Sequence, residues 1–164
     1  MKSSFLTGLL LAASLGATST MIPGDALAAD AGSPAATAAA DSADLRIVAT
    51  NVASDAGKIR VWVYDSKDDW LTDRYRTQKV VTVAGNRVDG RVMIELLLPA
   101  GTYAFTVFQD LDDDGKLKRN FIGIPKEPSG LSNNVRPRFG PPKFDDALVT
   151  VTPGTLVEQK IELR

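Results

Sequence analysis

From residue 45 onward, apolar and polar side chains alternate with a period of two, the repeat of a strand with one buried face rather than the 3.6 of a helix. Leu45, Ile47 and Ala49 alternate with Arg46, Val48 and Thr50, and Ile59, Val61 and Val63 alternate with Arg60, Trp62 and Tyr64. Five further runs follow, at 79–83, 91–98, 102–109, 147–152 and 156–163, separated by turn formers such as Gly85-Asn86, Asp89-Gly90 and Pro153-Gly154. About seven short strands, with one short helical excursion at 68–76 around Trp70, predict an all-β fold, an antiparallel β-sandwich. The turn Pro99-Ala100-Gly101 runs into a strand through Tyr103. That pattern fits the tyrosine corner of Greek-key sandwiches, in which the phenol bonds a nearby backbone group.

The alternation fails in two places. Residues 1–28 read instead as a secretory signal peptide, with Lys2, an apolar run at 5–15 and Ala26-Leu27-Ala28 ahead of the cut. The run is shorter than the ~20 apolar residues of a membrane span. No span is therefore expected after cleavage, and the expected location is periplasmic or secreted. Residues 29–43, rich in alanine with no apolar stripe, read as a flexible leader, which leaves 44–164 as one domain.

The second break is longer: 35 residues, 111–145, separate two strand runs. Loops of that length are functional or disordered, and this one carries Phe121, Ile122, Ile124, Leu131, Phe139 and Phe144, enough apolar surface to fold back on the sandwich. Ser132, Asn133 and Asn134 are suited to satisfy its backbone.

The loop is entered through Asp110-Leu111-Asp112-Asp113-Asp114-Gly115-Lys116. Carboxylates at Asp110, Asp112 and Asp114, a glycine at the sixth position and the Lys116 carbonyl at the seventh form the front half of a calcium loop. Ca²⁺ takes six to eight hard oxygens at about 2.3–2.6 Å, which acids on alternate residues of a tight turn supply well. The second half departs from an EF-hand: Lys118 stands at position 9 and Phe121 at position 12. A further ligand is needed, with Glu127, Asp145 and Asp146 as candidates. Three readings stay open here: a Ca²⁺ site, a solvated acidic turn balanced by Lys116, Lys118 and Arg119, or a site for another divalent metal.

Composition narrows the chemistry. The 164 residues include no Cys and no His, which removes disulfides, thiolate and imidazole metal sites and histidine-based nucleophilic catalysis. A net charge of −1, from 19 basic and 20 acidic residues, gives no broad basic face for nucleic acid.

The chain resembles the bacterial DUF2141 proteins, small exported domains, over roughly residues 45–163. The resemblance rests on 98–104 (LPAGTYA), 110–117 (DLDDDGKL), 120–127 (NFIGIPKE), 130–134 (GLSNN) and 139–144 (FGPPKF). It implies an immunoglobulin-like or transthyretin-like sandwich and brings no established activity. The family commonly has His where Gln109 stands, Asn among the turn acids and Asp where Lys118 sits; here Lys118 removes a potential ligand and adds a positive charge.

The expected function is accordingly a non-catalytic binding or structural module of the cell envelope. No catalytic residue is assigned, the long loop is its recognition surface, and an envelope protein or glycan is its partner. Arg136, Arg138 and Lys143 are candidate contacts for an anionic partner, and an exposed sheet edge is another means of docking. The alternatives are a carboxylate hydrolase using Asp112 with Glu127, and a carbohydrate-binding module stacking sugars on Trp62 and Tyr64.

Overall fold

The computed structural model describes residues 42–136 and 140–164. The expected signal peptide, the leader up to residue 41, and Pro137, Arg138 and Phe139 lie outside the described residues. In chain order the strands are β1 (Ser42–Thr50), β2 (Lys58–Tyr64), β3 (Thr77–Thr82), β4 (Arg87–Val88), β5 (Arg91–Pro99), β6 (Gly101–Asp110), β7 (Ser129–Leu131), β8 (Val149–Val151) and β9 (Val157–Glu162). One sheet has the order β4-β5-β1-β9; the other has β3-β2-β6-β7, with β8 also paired to β6. All seven expected strands form. The stretch at 68–76 does not become a helix: it is a run of turns closed by Trp70 N–H to Lys67 O and Thr72 N–H to Asp69 O. Among the described residues no helix is long and apolar enough to cross a membrane.

One ladder departs from the antiparallel expectation, because β1 and β9 run parallel. The reason lies in β8, which belongs beside β6 in the facing sheet. The short connection after it carries the chain across to β1, so β9 takes its direction from a crossing and not from a hairpin. β1 also begins earlier than expected. Ala43, at the end of the expected leader, is buried at 2% exposure because it continues the inward row of Leu45, Ile47 and Ala49.

The period-two pattern builds the core directly. Leu45, Ile47 and Ala49 of β1 and Val92, Ile94 and Leu96 of β5 share one buried cluster with Ile59, Val61 and Val63 of β2 and Phe105 and Val107 of β6. The Tyr103 hydroxyl donates to Pro99 O at 3.0 Å, the local bond expected of a tyrosine opening this strand.

β2 and β6 are buried on both faces. The outward residues Trp62, Tyr64 and Phe108 form a second cluster with Leu117 and Phe144, packed by Trp70 and Tyr75. Trp62 stacks on Tyr75 at 5.1 Å, and Trp70 meets Tyr64 edge-on at 5.2 Å. With Trp62 at 5% and Tyr64 at 0% exposure, these two rings are covered and not open for a sugar to stack on. The aromatics instead hold the 65–76 segment and the long loop against the sheet.

The long loop is stitched down by the residues expected to satisfy its backbone. β7 pairs with β6 at residues 106–108 and β8 at residues 101–103, which leaves a gap in the ladder at Phe105. The buried Ser132 fills it: its Oγ accepts the Phe105 N–H at 2.9 Å and donates to Ala147 O at 2.5 Å. The Asn133 amide donates to Leu148 O, while the Asn134 amide donates to Lys160 O and accepts the Glu162 N–H. Ser132→Ala leaves a buried N–H and C=O unpaired and should lower the unfolding free energy in urea by about 1–3 kcal/mol; an unchanged midpoint would show that water replaces the hydroxyl.

Candidate cation site at the root of the long loop

Alternation along β6 places Asp110 on the same face as Lys58 and Arg60 of β2, since Lys58 lies opposite Asp110 and Arg60 opposite Phe108. Asp110 is fully buried and organises the turn that follows. Its Oδ2 accepts from Arg60 Nε at 2.5 Å and from the Gly115 N–H at 2.9 Å, and its Oδ1 accepts the Asp114 N–H at 3.2 Å. Asp113 turns outward to Lys58 and Arg60 (2.5 and 3.0 Å). The hydrogen bond from Lys58 leads the causes that hold its carboxyl below the usual range.

Beyond the turn, residues 118–126 form a hairpin closed by Lys126 N–H to Lys118 O and Asn120 N–H to Ile124 O. This hairpin returns Glu127 to the loop entrance. Glu127 Oε1 accepts the Leu111 N–H at 3.1 Å, whereas Oε2 is buried with no hydrogen-bond partner among the described residues. Asp110, Asp112 and Glu127 each bring a carboxylate oxygen within 4.8 Å of the others. Burial raises the Glu127 pKa, and the Asp110 and Asp112 charges add to the rise against the opposing Leu111 and Lys118 amides.

Of the expected acidic ligands, the structure thus gathers Asp110, Asp112 and Glu127, and Asp114, Asp145 and Asp146 stand outside the group. Asp114 accepts the Lys116 N–H through Oδ1 and pairs with Lys118 through Oδ2 at 2.9 Å. Lys118 Nζ also bonds Asp112 Oδ2, so an ammonium occupies the position where the family's Asp was expected to act as a ligand. Lys116 is exposed beside Asp114. Asp145 faces Lys67 at 3.5 Å, and Asp146 offers its backbone carbonyl to Asn133; neither belongs to the cluster.

The family described as "Uncharacterized protein conserved in bacteria (DUF2141)" matches residues 47–158, more than half of the chain. The chain belongs to the DUF2141 family. No curated protein matches it. Among solved structures it is similar to a leucine-rich repeat protein from Bacteroides thetaiotaomicron VPI-5482, 16% identical, with a TM-score of 0.36. The match covers 76% of this chain and only 12% of that one, and at this distance it carries no argument about fold or function.

One residue of this DUF2141 domain that matters at the site was not singled out by sequence. Arg60, the partner of Asp110, is legible only once the register of β2 on β6 is known. Gln109 points into the protein and is fully buried. Its Oε1 accepts the Ala53 N–H at 3.0 Å, and its Nε2 donates to Ser54 O and Ala56 O at 3.0 and 2.9 Å. That side chain fixes the segment leading to Gly57, against which the loop root packs.

Proposed function

We propose that this DUF2141 protein is an exported, non-catalytic binding module of the cell envelope. In this reading its long loop is held in shape by a divalent cation, Ca²⁺, bound by Asp110, Asp112 and Glu127. The observation that carries the reading is Glu127, whose buried Oε2 has no hydrogen-bond partner among the described residues and which brings a carboxylate oxygen within 4.8 Å of Asp110 and Asp112. Buried charge is costly unless paired. Five carboxylates at 110, 112, 113, 114 and 127 meet three touching cations, Lys58, Arg60 and Lys118, so an ionised Glu127 leaves the cluster two positive charges short. A divalent ion matches that deficit, and the oxygen spacing suits a hard cation. Backbone carbonyls and solvent would complete the coordination.

Two further parts belong to the proposal. The pair of sheets is of the Greek-key sandwich type, immunoglobulin-like or transthyretin-like, supported by the Tyr103 bond to Pro99. Export rests on the signal-peptide pattern of residues 1–28. Hydrolysis by Asp112 with Glu127 is the weaker reading, because neither residue lines the cleft of about 800 Å³ beside Leu117, Ile124 and Leu131, and Lys118 already holds Asp112.

Thermal unfolding in EDTA and then in millimolar Ca²⁺ or Mg²⁺ tests the site. At a hundred times its dissociation constant, bound Ca²⁺ should add about 2.7 kcal/mol, a rise of roughly 5–15 °C for a domain of this size. Glu127→Gln should abolish the rise. Lys118→Ala should lower the Ca²⁺ concentration needed, because the ammonium competes for Asp112. An identical midpoint in EDTA and in both metals would leave the acids as a turn neutralised from within.

A further inference from the structure

The hairpin that returns Glu127 to the loop root also stands over a cleft of about 800 Å³, within the range of small-molecule sites. Its walls are mostly apolar and include Leu117, Leu131 and Val135 together with Ile122 and Ile124 of the hairpin. Those two isoleucines were expected to fold back on the sandwich; they are instead 63% and 54% exposed, and Phe121 at the hairpin tip is 98% exposed. Large apolar groups left in water at the mouth of a cleft mark a surface that another apolar body covers.

The charged lining has one sign in excess. Among the described residues, Arg119, Arg136 and Arg164 line the cleft against Glu162 alone. Glu162 is shared between Arg136 at 3.3 Å and Arg164 at 2.7 Å. Arg119 makes only two long bonds, to Gly123 O at 3.5 Å and Leu71 O at 3.4 Å, and pairs with no carboxylate among the described residues. A lining with two surplus guanidinium charges, in a chain whose net charge is −1, is complementary to an anion. A guanidinium grips a carboxylate through two parallel N–H bonds.

We propose that this cleft binds a single-chain anionic amphiphile, an alkyl chain lying between the hairpin and the β6–β7 surface with its carboxylate on Arg119. A peptide fits less well. Its backbone would need partners inside the cleft, and both ends of the Asn134 amide there are already engaged with Lys160 and Glu162. An alkyl chain brings no such groups. The inference rests on the reading of the protein as a binding module and not on the cation, since none of Asp110, Asp112 and Glu127 lines the cleft.

Calorimetric titration of the purified protein in EDTA with monomeric dodecanoate, and separately with dodecanol, tests it. Dodecanoate should bind one to one, and dodecanol at least tenfold more weakly. Arg119→Gln should erase the difference, and Ile124→Asn, at an exposed position of the lining, should weaken both without lowering the unfolding midpoint. The proposal is overturned by the absence of dodecanoate binding, by equal affinity for acid and alcohol, or by affinities that neither variant changes. Sedimentation with anionic vesicles in place of free dodecanoate binding would overturn it in favour of a membrane-surface contact. Dodecanoate binding without any Ca²⁺-induced rise in midpoint would remove the cation alone, and the reverse result the amphiphile alone.

Discussion

Asp110→Ala should lower the unfolding free energy by about 3–5 kcal/mol, the cost of removing one member of a buried ion pair. The carboxylate is fully buried and serves three donors, Arg60 Nε and the N–H groups of Asp114 and Gly115. Its loss leaves a guanidinium whose side chain is only 14% exposed, together with two turn amides that must find water. Arg60 keeps Asp113 at 3.0 Å, which places the expected value toward the lower end of the range. Asp113→Ala is the control. That carboxylate is half exposed and surface pairs contribute little, so its urea midpoint should scarcely move. Equal losses for the two variants would mean that the exposed network, and not the buried anchor, holds the loop entrance.

Gly57→Ala should be comparably damaging for a different reason. Gly57 has φ +73°, and a Cβ built there would lie 2.0 Å from the carbonyl oxygen of Asp110. The left-handed conformation alone costs a non-glycine residue about 1–2 kcal/mol. The clash adds to this, because backbone on the other strand has to retreat, and the total should reach at least about 3 kcal/mol. Gly85→Ala separates the two contributions. Its φ is +79° with nothing within 4 Å of the added methyl, so only the conformational part, about 1–2 kcal/mol, should appear. Similar losses at both positions would show that the Gly57 contact relaxes freely. Disruption at Gly57 should also reduce any Ca²⁺ response, since the Asp110 backbone that the methyl displaces belongs to the loop root.

The strands were legible because period-two alternation reports burial on one face, and both sheets use it to build the shared core. Alternation could not reveal that β2 and β6 are buried on their second face as well. Trp62 and Tyr64 occupy outward positions in that pattern, and only the path of the 65–76 segment and the long loop covers them. The parallel β1–β9 ladder was hidden for a related reason: a strand's sequence carries its faces but not its direction. At the loop root the acidic turn and Glu127 could be read from residue types and spacing. The exclusion of Asp114 could not, because it depends on Lys118 folding back four residues onto it. Nor could the exposure of Phe121, Ile122 and Ile124, whose composition suggested burial while the hairpin geometry carries them away from the sheet.

The pairing of β9 with β1 has a consequence in time. Leu45 sits opposite Val157 and Thr50 opposite Glu162, so among the described strands β1 waits for β9 before its sheet is complete. Contacts so distant along the chain close the largest loops and form slowly. A nascent chain of this topology therefore keeps one edge of β1 unpaired until β9 emerges, however early β1 has paired with β5.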